Sequence, residues 1–336
     1  MVTFSPERLT DLSNAFKGKR IAIVGDLMVD RYYWGTVNRV SPEAPVPVVD
    51  VTAESARLGG AANVANNIQS LGGEPLLVGL VGDDHPGEVL IALLKEQGLS
   101  TSGVIVDGSR RTTIKTRVIA HDQHVVRIDY ESKVGSSEEA ARKIIGSVQS
   151  NIKDIDAIIL EDYNKGTMTR EVIHGIIEAA RKNDKIIAVD PKFENFFEYK
   201  NVTMFKPNRR ETEEVLGGRL RTDADLINAG KRMLKELSVE NVLLTRGEDG
   251  MSLFEANGAV THMGTAANHV LDVSGAGDTV IATLTMALAA GATVREAATL
   301  ANYAGGVVVG SVGIVPIQLE ALVETVLRQE SKRGDG

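Results

Sequence analysis

The chain has 336 residues, 43% hydrophobic and 24% charged, which suffices for one large α/β domain with a sizeable core. The formal net charge is -8, from 37 basic and 45 acidic residues, so no basic excess favours nucleic-acid binding. The absence of cysteine excludes disulfides, thiolate metal sites and a cysteine nucleophile, and is compatible with a cytoplasmic protein. The N-terminus lacks the apolar core of a signal peptide, and no apolar run is long enough to span a membrane.

A buried first strand is predicted at residues 20–25, because this run is continuous, apolar and followed by Asp26. The glycines of a dinucleotide-binding fingerprint are missing after it, which disfavours a nicotinamide oxidoreductase. Asp26 and Asp30 follow the strand, where ligands bind in an open α/β sheet, so either carboxylate is a candidate for binding sugar hydroxyls. The alternative is a turn aspartate that only caps the local backbone, and it applies more to Asp26 than to Asp30.

A small separate β sheet, which we call the lid, is predicted from two segments. Residues 31–52 hold three aromatic side chains and three prolines, which suit edge strands and turns rather than a central strand. Residues 111–130 alternate in the manner of a hairpin. Exposed lid strands could pair with a second copy, so we expect a homodimer. The cations of the hairpin are candidates for pairing with a substrate phosphate, with a solvated face as the alternative: Lys115, Arg117 and Arg127.

Two glycines, Gly59 and Gly60, precede a predicted helix of small residues that ends at Gly72. Their backbone amides and the side chain of Asn63 are candidates for binding sugar hydroxyls. The alternative is close packing of this helix on the sheet, which glycine and alanine allow.

From residue 137 onward, predicted helices and strands alternate, and polar residues follow each strand. This pattern predicts a parallel sheet with a binding site along its carboxyl edge. Residues 1–325 are expected to form one domain, and residues 326–336 a polar tail. The predicted helices span residues 138–150, 169–183 and 226–237, and the predicted strands span residues 157–160, 185–189, 202–206 and 241–245.

Near the end of the chain, residues 274–277 read Ser-Gly-Ala-Gly and lead into an apolar run that predicts a buried helix. Free amides at a helix start, with the positive end of the helix dipole, form an anion site. Asp278 would lie beside that site. Phosphoryl transfer to a hydroxyl needs this pair, because a carboxylate takes the proton while amides hold the charge. The alternative is that Asp278 is only an N-terminal cap.

Together these motifs resemble the ribokinase-like (PfkB) carbohydrate kinase family over essentially the whole chain, from residue 20 to about residue 322. Residues 58–65, 207–211, 245–250 and 272–279 match its signatures, with Ser274 where many members have threonine and Arg246 where a smaller residue is usual. Residues 25–32, 39–49, 162–166 and 190–192 are similar to the D-glycero-β-D-manno-heptose 7-phosphate kinases. Many of those are fused to an adenylyltransferase, whose His-x-Gly-His motif does not occur here, so the resemblance implies the kinase half.

The resemblance implies a three-layer α/β sandwich with a mostly parallel sheet and a β lid. It implies transfer of the ATP γ-phosphoryl, with Mg²⁺, to the anomeric hydroxyl of heptose 7-phosphate, giving the 1,7-bisphosphate for ADP-heptose and lipopolysaccharide core precursors. The rivals are another sugar or phosphosugar kinase of this family and a non-catalytic sugar-binding regulator.

The resemblance also implies roles for individual residues. In the catalytic role it places Asp278 as base, with the amides of Gly275, Ala276 and Gly277. In the nucleotide role it places Asn208, Arg209, Arg210, Glu211, Thr245, Gly247, Gly250 and Asn302, with Glu211 serving Mg²⁺. In the substrate role it places Asp30, Gly59, Gly60 and Asn63, with Asp26 added from its position. Lys115, Arg117, Arg127, Lys165 and Lys192 form the pool of cations for the 7-phosphate.

Overall fold

The structure is a computed structural model that describes residues 1–121, 123–132, 134–267 and 269–334. Its strands are β1 (Arg20–Gly25), β2 (Leu27–Val40), β3 (Pro47–Gly60), β4 (Glu74–Val81), β5 (Gly103–Val106), β6 (Thr113–Ala120), β7 (Gln123–Tyr130), β8 (Ala157–Glu161), β9 (Ile186–Asp190), β10 (Met204–Phe205), β11 (Asn241–Thr245), β12 (Met251–Glu255) and β13 (Val260–Met263). Its helices are α1 (Pro6–Phe16), α2 (Ala61–Ser70), α3 (His85–Glu96), α4 (Glu138–Asn151), α5 (Arg170–Arg181), α6 (Arg209–Leu216), α7 (Asp223–Leu237), α8 (Ala276–Ala289), α9 (Val294–Val308) and α10 (Leu319–Gly334).

The central sheet of the described residues has nine strands in the order β13-β12-β11-β10-β9-β8-β1-β4-β5. Strands from β11 across to β5 pair in parallel, whereas β12 and β13 are antiparallel. The predicted α/β fold with a mostly parallel sheet is therefore confirmed. Because the carboxyl ends of parallel strands meet at one edge, the residues just after β1, β8, β9 and β10 come together there.

Helices cover both faces of this sheet, which explains why β1 and β8 are almost continuously apolar. In β1 the side chains alternate, so that Ile21 and Ile23 pack into one core with α1, α2, α8 and α9. Ala22 and Val24 pack into the other core, with α4, α5 and α7. The buried face of α8 against the sheet fixes where this helix begins, and hence where Asp278 lies.

A second sheet of four strands, in the order β3-β2-β6-β7, corresponds to the predicted lid. Here β2 pairs with β3 in antiparallel and with β6 in parallel fashion, and β6 forms a hairpin with β7. This sheet is larger than expected, since its strands begin at Leu27 and end at Gly60 rather than within residues 31–52. The predicted hairpin includes Asp122, which lies outside the described residues.

The other differences are local. The predicted strand 202–206 is reduced to Met204–Phe205, and the segment predicted as a polar tail from residue 326 is helical in α10 as far as Gly334. Residues 335 and 336, like Asn268 before the α8 motif, lie outside the described residues. Among the helices that the structure describes, none combines the length and the apolar character that a bilayer crossing needs.

Candidate active site

Asp278 lies in the first turn of α8, directly after the turn that the sequence predicted. Gly275 caps the helix with a positive φ of 77°, which favours glycine. The Asp278 side chain is buried, with only 2% of the residue exposed. Two side chains donate hydrogen bonds to its carboxylate: Asn63 Nδ2 to Oδ2 at 2.7 Å and Tyr163 Oη to Oδ1 at 2.7 Å. Both carboxylate oxygens are thus held in a fixed orientation.

The protonation of Asp278 reflects two opposing effects. Burial raises the pKa of Asp278 to about 6, while the hydrogen bonds from Asn63 and Tyr163 favour the ionised form and limit the rise. A carboxylate with this pKa is mostly ionised at pH 7 and remains more basic than an exposed aspartate. Asp278 therefore has the properties of a general base.

Three further titratable groups surround Asp278 at the carboxyl edge of the sheet. Glu161 ends β8 and Asp190 ends β9, and each brings a carboxylate oxygen within 4.8 Å of one of Asp278. Lys206 follows β10, and its Nζ lies 2.7 Å from Asp190 Oδ2. Burial alone would lower the pKa of Lys206, but Asp190 and Glu161 raise it, so the ammonium stays charged. This buried cation offsets part of the negative charge of the Asp190 and Asp278 carboxylates.

Glu161 is the least satisfied member of this group. It is fully buried, and neither carboxylate oxygen has a hydrogen-bond partner among the described residues. Burial and the nearby carboxylates of Asp190 and Asp278 raise the pKa of Glu161 well above its usual range. A protonated Glu161 presents both a donor and an acceptor beside Asp278.

The amides at the start of α8 were expected to be free for an anion. The structure corrects this for Ala276, whose N–H donates to the carbonyl of Val273 at 3.2 Å. The N–H groups of Gly275 and Gly277 have no such acceptor within the described chain. A side chain at Gly277 would lie 3.7 Å from both Lys206 Nζ and Asp190 Oδ2. The Lys206 ammonium and the Asp190 carboxylate that pairs with it therefore both lie close to Gly277.

A cavity of about 590 Å³ opens beside this helix start, between the β11–β12 turn and α9. Its volume is typical of a small-molecule site. Gly250 lies at the turn with a φ of 80°, and a side chain there would collide with the Met263 carbonyl. The Asn302 side chain donates to the Gly264 carbonyl at 2.8 Å. The cavity is lined by four of the eight predicted nucleotide residues and by two residues of the predicted anion site: Thr245, Gly247, Gly250 and Asn302, with Ala276 and Gly277.

The Asn208–Glu211 pair forms the capping box of α6. The Glu211 amide donates to Asn208 Oδ1 at 2.8 Å, and the Asn208 amide donates to Glu211 Oε2 at 2.9 Å. The other Glu211 oxygen, Oε1, accepts a hydrogen bond from Lys192. Arg209 and Arg210 line a smaller cavity of about 420 Å³, which shares Thr245 and Gly247 with the larger one.

On the lid side, Asp30 is buried and pairs with Arg117 of β6. Burial raises the pKa of Asp30, and the Arg117 guanidinium counters the rise. A side chain at Gly59 would overlap the Asp30 carboxylate, so only glycine fits there. Gly60 precedes α2 with a φ of 57°, which places Asn63 on the first turn facing Asp278. The structure thus brings these four predicted residues to one region.

The structure corrects the expectation for Asp26. Its Oδ2 accepts the amides of Tyr163 and Lys165 at 2.8 and 3.0 Å, and its Oδ1 accepts the amide of Thr167 at 3.0 Å. Only 1% of Asp26 is exposed. The carboxylate is therefore committed to holding the loop after β8 and is not available to a sugar hydroxyl.

The five predicted phosphate-binding cations differ in whether a carboxylate of the chain already pairs with them. Only Lys115 has no carboxylate within 4 Å among the described residues. Lys115 Nζ lies instead 5.1 Å from the centre of the Tyr163 ring, and burial lowers the pKa of Lys115. The other four pair as Arg117–Asp30, Arg127–Asp129, Lys165–Glu131 and Lys192–Glu211.

Sequence reasoning missed Tyr163, Glu161, Asp190 and Lys206. Each lies at the end of a parallel strand or within two residues of it. A signal existed, because polar residues directly after such strands line the site of an open α/β sheet. Tyr163 lies within residues 162–166, a run that resembles the heptose kinases, but the run by itself does not single out this side chain.

Residues 19–320 match the model of the pfkB family carbohydrate kinases. The chain belongs to the pfkB family of carbohydrate kinases. Two solved structures share this fold: phosphofructokinase-2 from Escherichia coli in complex with potassium, and Arabidopsis thaliana ribokinase complexed with ribose and ATP. The phosphofructokinase-2 structure has a TM-score of 0.74 at 19% sequence identity, and the match covers 93% of this chain and 99% of the phosphofructokinase. The ribokinase structure has a TM-score of 0.72 at 18% identity, and the match covers 92% of this chain and 99% of the ribokinase.

The curated relatives are more similar in sequence. The bifunctional protein HldE of Pelobacter propionicus is 41% identical to this kinase over 318 residues, and that of Helicobacter pylori is 42% identical over 304 residues. These alignments cover 95% and 90% of this chain but 65% of each relative. In Geobacter sulfurreducens the identity is 43%, over 87% of this chain and 59% of the relative. The chain thus spans about three fifths of the length of these bifunctional proteins.

Proposed function

We propose that this kinase transfers the γ-phosphoryl group of ATP to the anomeric hydroxyl of D-glycero-β-D-manno-heptose 7-phosphate. The observation that carries the proposal is the buried Asp278, oriented by two hydrogen bonds and lying beside the free Gly277 amide and the Lys206 ammonium. The similarity to the HldE proteins supports the choice of sugar, together with the heptose-kinase-like runs of the sequence.

The mechanism follows from this geometry. Asp278 accepts the proton of the sugar hydroxyl as the hydroxyl oxygen bonds to the γ-phosphorus of ATP; the bond from that phosphorus to the bridging oxygen breaks, and ADP leaves. The amides of Gly275 and Gly277 and the Lys206 ammonium stabilise the charge on the transferring phosphoryl, and loss of one such donor costs on the order of 3 kcal/mol. The cavity beside α8 would hold ATP, with its phosphates directed at the helix start.

Mg²⁺ belongs to the proposed reaction and fits the chain at Glu211. Because Lys192 and the Asn208 amide already use the Glu211 carboxylate, this residue suits a hydrated ion held through water rather than a direct ligand. Mg²⁺ keeps several waters in sites of this kind. When bound, the ion would neutralise part of the charge of the ATP phosphates.

Lys115 is the proposed receptor of the sugar phosphate. It is the one lysine or arginine of the predicted pool without an ion pair in the described chain, and it extends from the lid towards Tyr163 and hence towards Asp278. A phosphate would supply the counter-charge that a half-buried ammonium lacks.

The deciding experiment measures ADP release with a panel of free and phosphorylated sugars, including heptose 7-phosphate and fructose phosphates. We expect the highest kcat/KM for heptose 7-phosphate, and a clear preference for another phosphosugar would overturn the choice of substrate. Lys115→Met should raise KM for the phosphorylated sugar at least tenfold and leave KM for the free sugar unchanged. The exposed Lys231 of α7 provides a matched control, since Lys231→Met should change neither.

A homodimer through the lid is also proposed. In the edge strand β7, Val126, Ile128 and Tyr130 alternate with the charged residues and are 48%, 55% and 44% exposed. An edge strand with such an apolar face favours pairing with another sheet. Sedimentation should show a dimer that Ile128→Glu dissociates, whereas Val106→Glu at the exposed end of β5 should not. A monomeric wild-type protein would contradict the proposal.

A further inference from the structure

Tyr163 contacts the base directly, yet neither the family motifs nor the proposed mechanism gives it a role. Its hydroxyl donates to Asp278 Oδ1 at 2.7 Å. The residue is partly buried, and desolvation of the hydroxyl together with the neighbouring carboxylates raises the pKa of Tyr163 well above its usual range. The hydroxyl therefore keeps its proton across the working pH range and is a permanent donor to the carboxylate.

The loop that carries Tyr163 is built to hold it in place. Three of its amides, those of Tyr163, Lys165 and Thr167, converge on the Asp26 carboxylate. Asn164 has a φ of 53°, in the left-handed region that asparagine adopts more readily than most residues other than glycine. The residue type at this position therefore suits the turn that the Asp26 contacts hold.

The Tyr163 ring also connects the lid to the core. Lys115 Nζ from β6 lies 5.1 Å from the ring centre, and Lys192 Nζ, which follows β9, lies at the same distance. Cations near the face of an aromatic ring are attracted by its electron density. The ring thus contacts Lys115, the proposed receptor of the sugar phosphate, and also Lys192, which pairs with Glu211 of the proposed nucleotide site.

We propose that Tyr163 is a positioning residue that orients Asp278 and keeps it ionised for proton abstraction. The inference rests on the proposed phosphoryl transfer, in which Asp278 is the base. Through its hydrogen bond Tyr163 fixes the rotamer of the carboxylate and offsets part of the cost of burying the charge. Asp278 Oδ1 uses one lone pair for this bond and keeps a second, which is free to accept the hydroxyl proton of the sugar.

Other groups around Asp278 set the background for this effect. Asn63 of α2 is neutral, whereas the titratable groups come from three strand ends: Glu161 from β8, Asp190 from β9 and Lys206 after β10. All of them remain in a Tyr163→Phe variant. A change in the titration of Asp278 in that variant therefore reports on the lost hydroxyl.

The test compares the pH dependence of kcat/KM in the wild type and in Tyr163→Phe. Loss of a hydrogen bond to a charged acceptor should move the acidic limb up by about one to two pH units. Activity at pH 7 should then fall roughly 2- to 10-fold and recover at higher pH, because the base is again ionised there. KM for ATP should stay unchanged.

Tyr199 provides a matched control. It is fully buried and donates at 2.7 Å to another carboxylate, Asp162, which does not touch Asp278. Tyr199→Phe should lose at least as much stability as Tyr163→Phe and leave the acidic limb where it is. An unshifted limb in Tyr163→Phe, or an equal shift in Tyr199→Phe, would overturn the proposal.

Two further measurements cover the cases in which activity cannot decide. Carbon NMR of labelled aspartate carboxyls, with the Asp278 signal assigned by Asp278→Asn, reports its pKa without turnover, and Tyr163→Phe should raise that pKa. If no sugar is phosphorylated, the proposed function fails while this titration still decides the role of Tyr163. If Tyr163→Phe does not fold, 3,5-difluorotyrosine at this position, a stronger donor, should lower the pKa of Asp278, and an unchanged or raised pKa would refute the proposal.

Discussion

Asp278→Asn tests the core of the mechanism because it removes the charge of the base while preserving its shape. The new amide can accept from Asn63 Nδ2 through its oxygen and donate to the Tyr163 hydroxyl through its nitrogen. The site therefore keeps its packing and both hydrogen bonds. The variant loses only the ability to take a proton from the sugar hydroxyl.

The expected effects on rate and stability have opposite signs. Loss of general-base catalysis should lower kcat by about 100- to 10,000-fold. The pKa of Asp278 rises from 3.8 to about 6 on folding, mainly through burial. At pH 7 the folded state therefore bears a cost of up to ~3 kcal/mol for the buried charge, which the amide does not incur. Because the folded state prefers the protonated carboxyl, the wild type has its full stability from this group below pH 3.8 and loses that contribution as the pH rises through about 6. The stability of Asp278→Asn relative to the wild type should therefore increase over that pH range.

Thermal unfolding between pH 4 and pH 8 measures the stability, and titration calorimetry with ADP and sugar measures binding. We expect a variant that is nearly inactive, at least as stable as the wild type at pH 7, and still able to bind both ligands. Asp278→Ala serves as the comparison, because it breaks both hydrogen bonds and should lose stability. An unchanged kcat in Asp278→Asn would refute the assignment of the base.

Two further predictions concern the turn before α8 and a distant ion pair. Gly275→Ala puts a methyl group 2.9 Å from Asn63 Nδ2 at a residue with positive φ, so we expect the free energy of unfolding to fall by about 1–2 kcal/mol and kcat to fall as well. Gly72 has a φ of 91° and open space around it, so Gly72→Ala should lose similar stability but no activity. The Arg8 guanidinium holds the pKa of Glu296 at about 2, so this pair stabilises the fold above pH 4.5 and less as the pH falls towards 2. The stability difference between wild type and Glu296→Gln should therefore shrink over that range in acid unfolding experiments.

Much of the site was predictable because its parts are local in the chain. The Gly-rich turn before α8 and the capping pair Asn208–Glu211 depend on residues at most a few positions apart. Glycine at a positive φ and an apolar run after it specify such a turn without help from distant residues. The alternation of strands and helices likewise predicted the parallel sheet and the edge at which ligands bind.

The partners of those local motifs required the tertiary structure. Asn63 and Asp278 are separated by 215 positions, and Tyr163 and Asp278 by 115. Asp26 illustrates the limit, since its place after β1 is compatible with either binding a sugar or holding a loop. Only the three amides that converge on it decide between them.

The sequence by itself determined the fold class, the family and the place of Asp278 at the start of α8, because backbone geometry and hydrophobic periodicity act between near neighbours. The tertiary structure decided which cations are already paired and which donors reach Asp278. Hydrogen bonds and ion pairs depend on distances of a few ångströms between side chains, and only the packing of α2, α8 and the strand ends sets those distances.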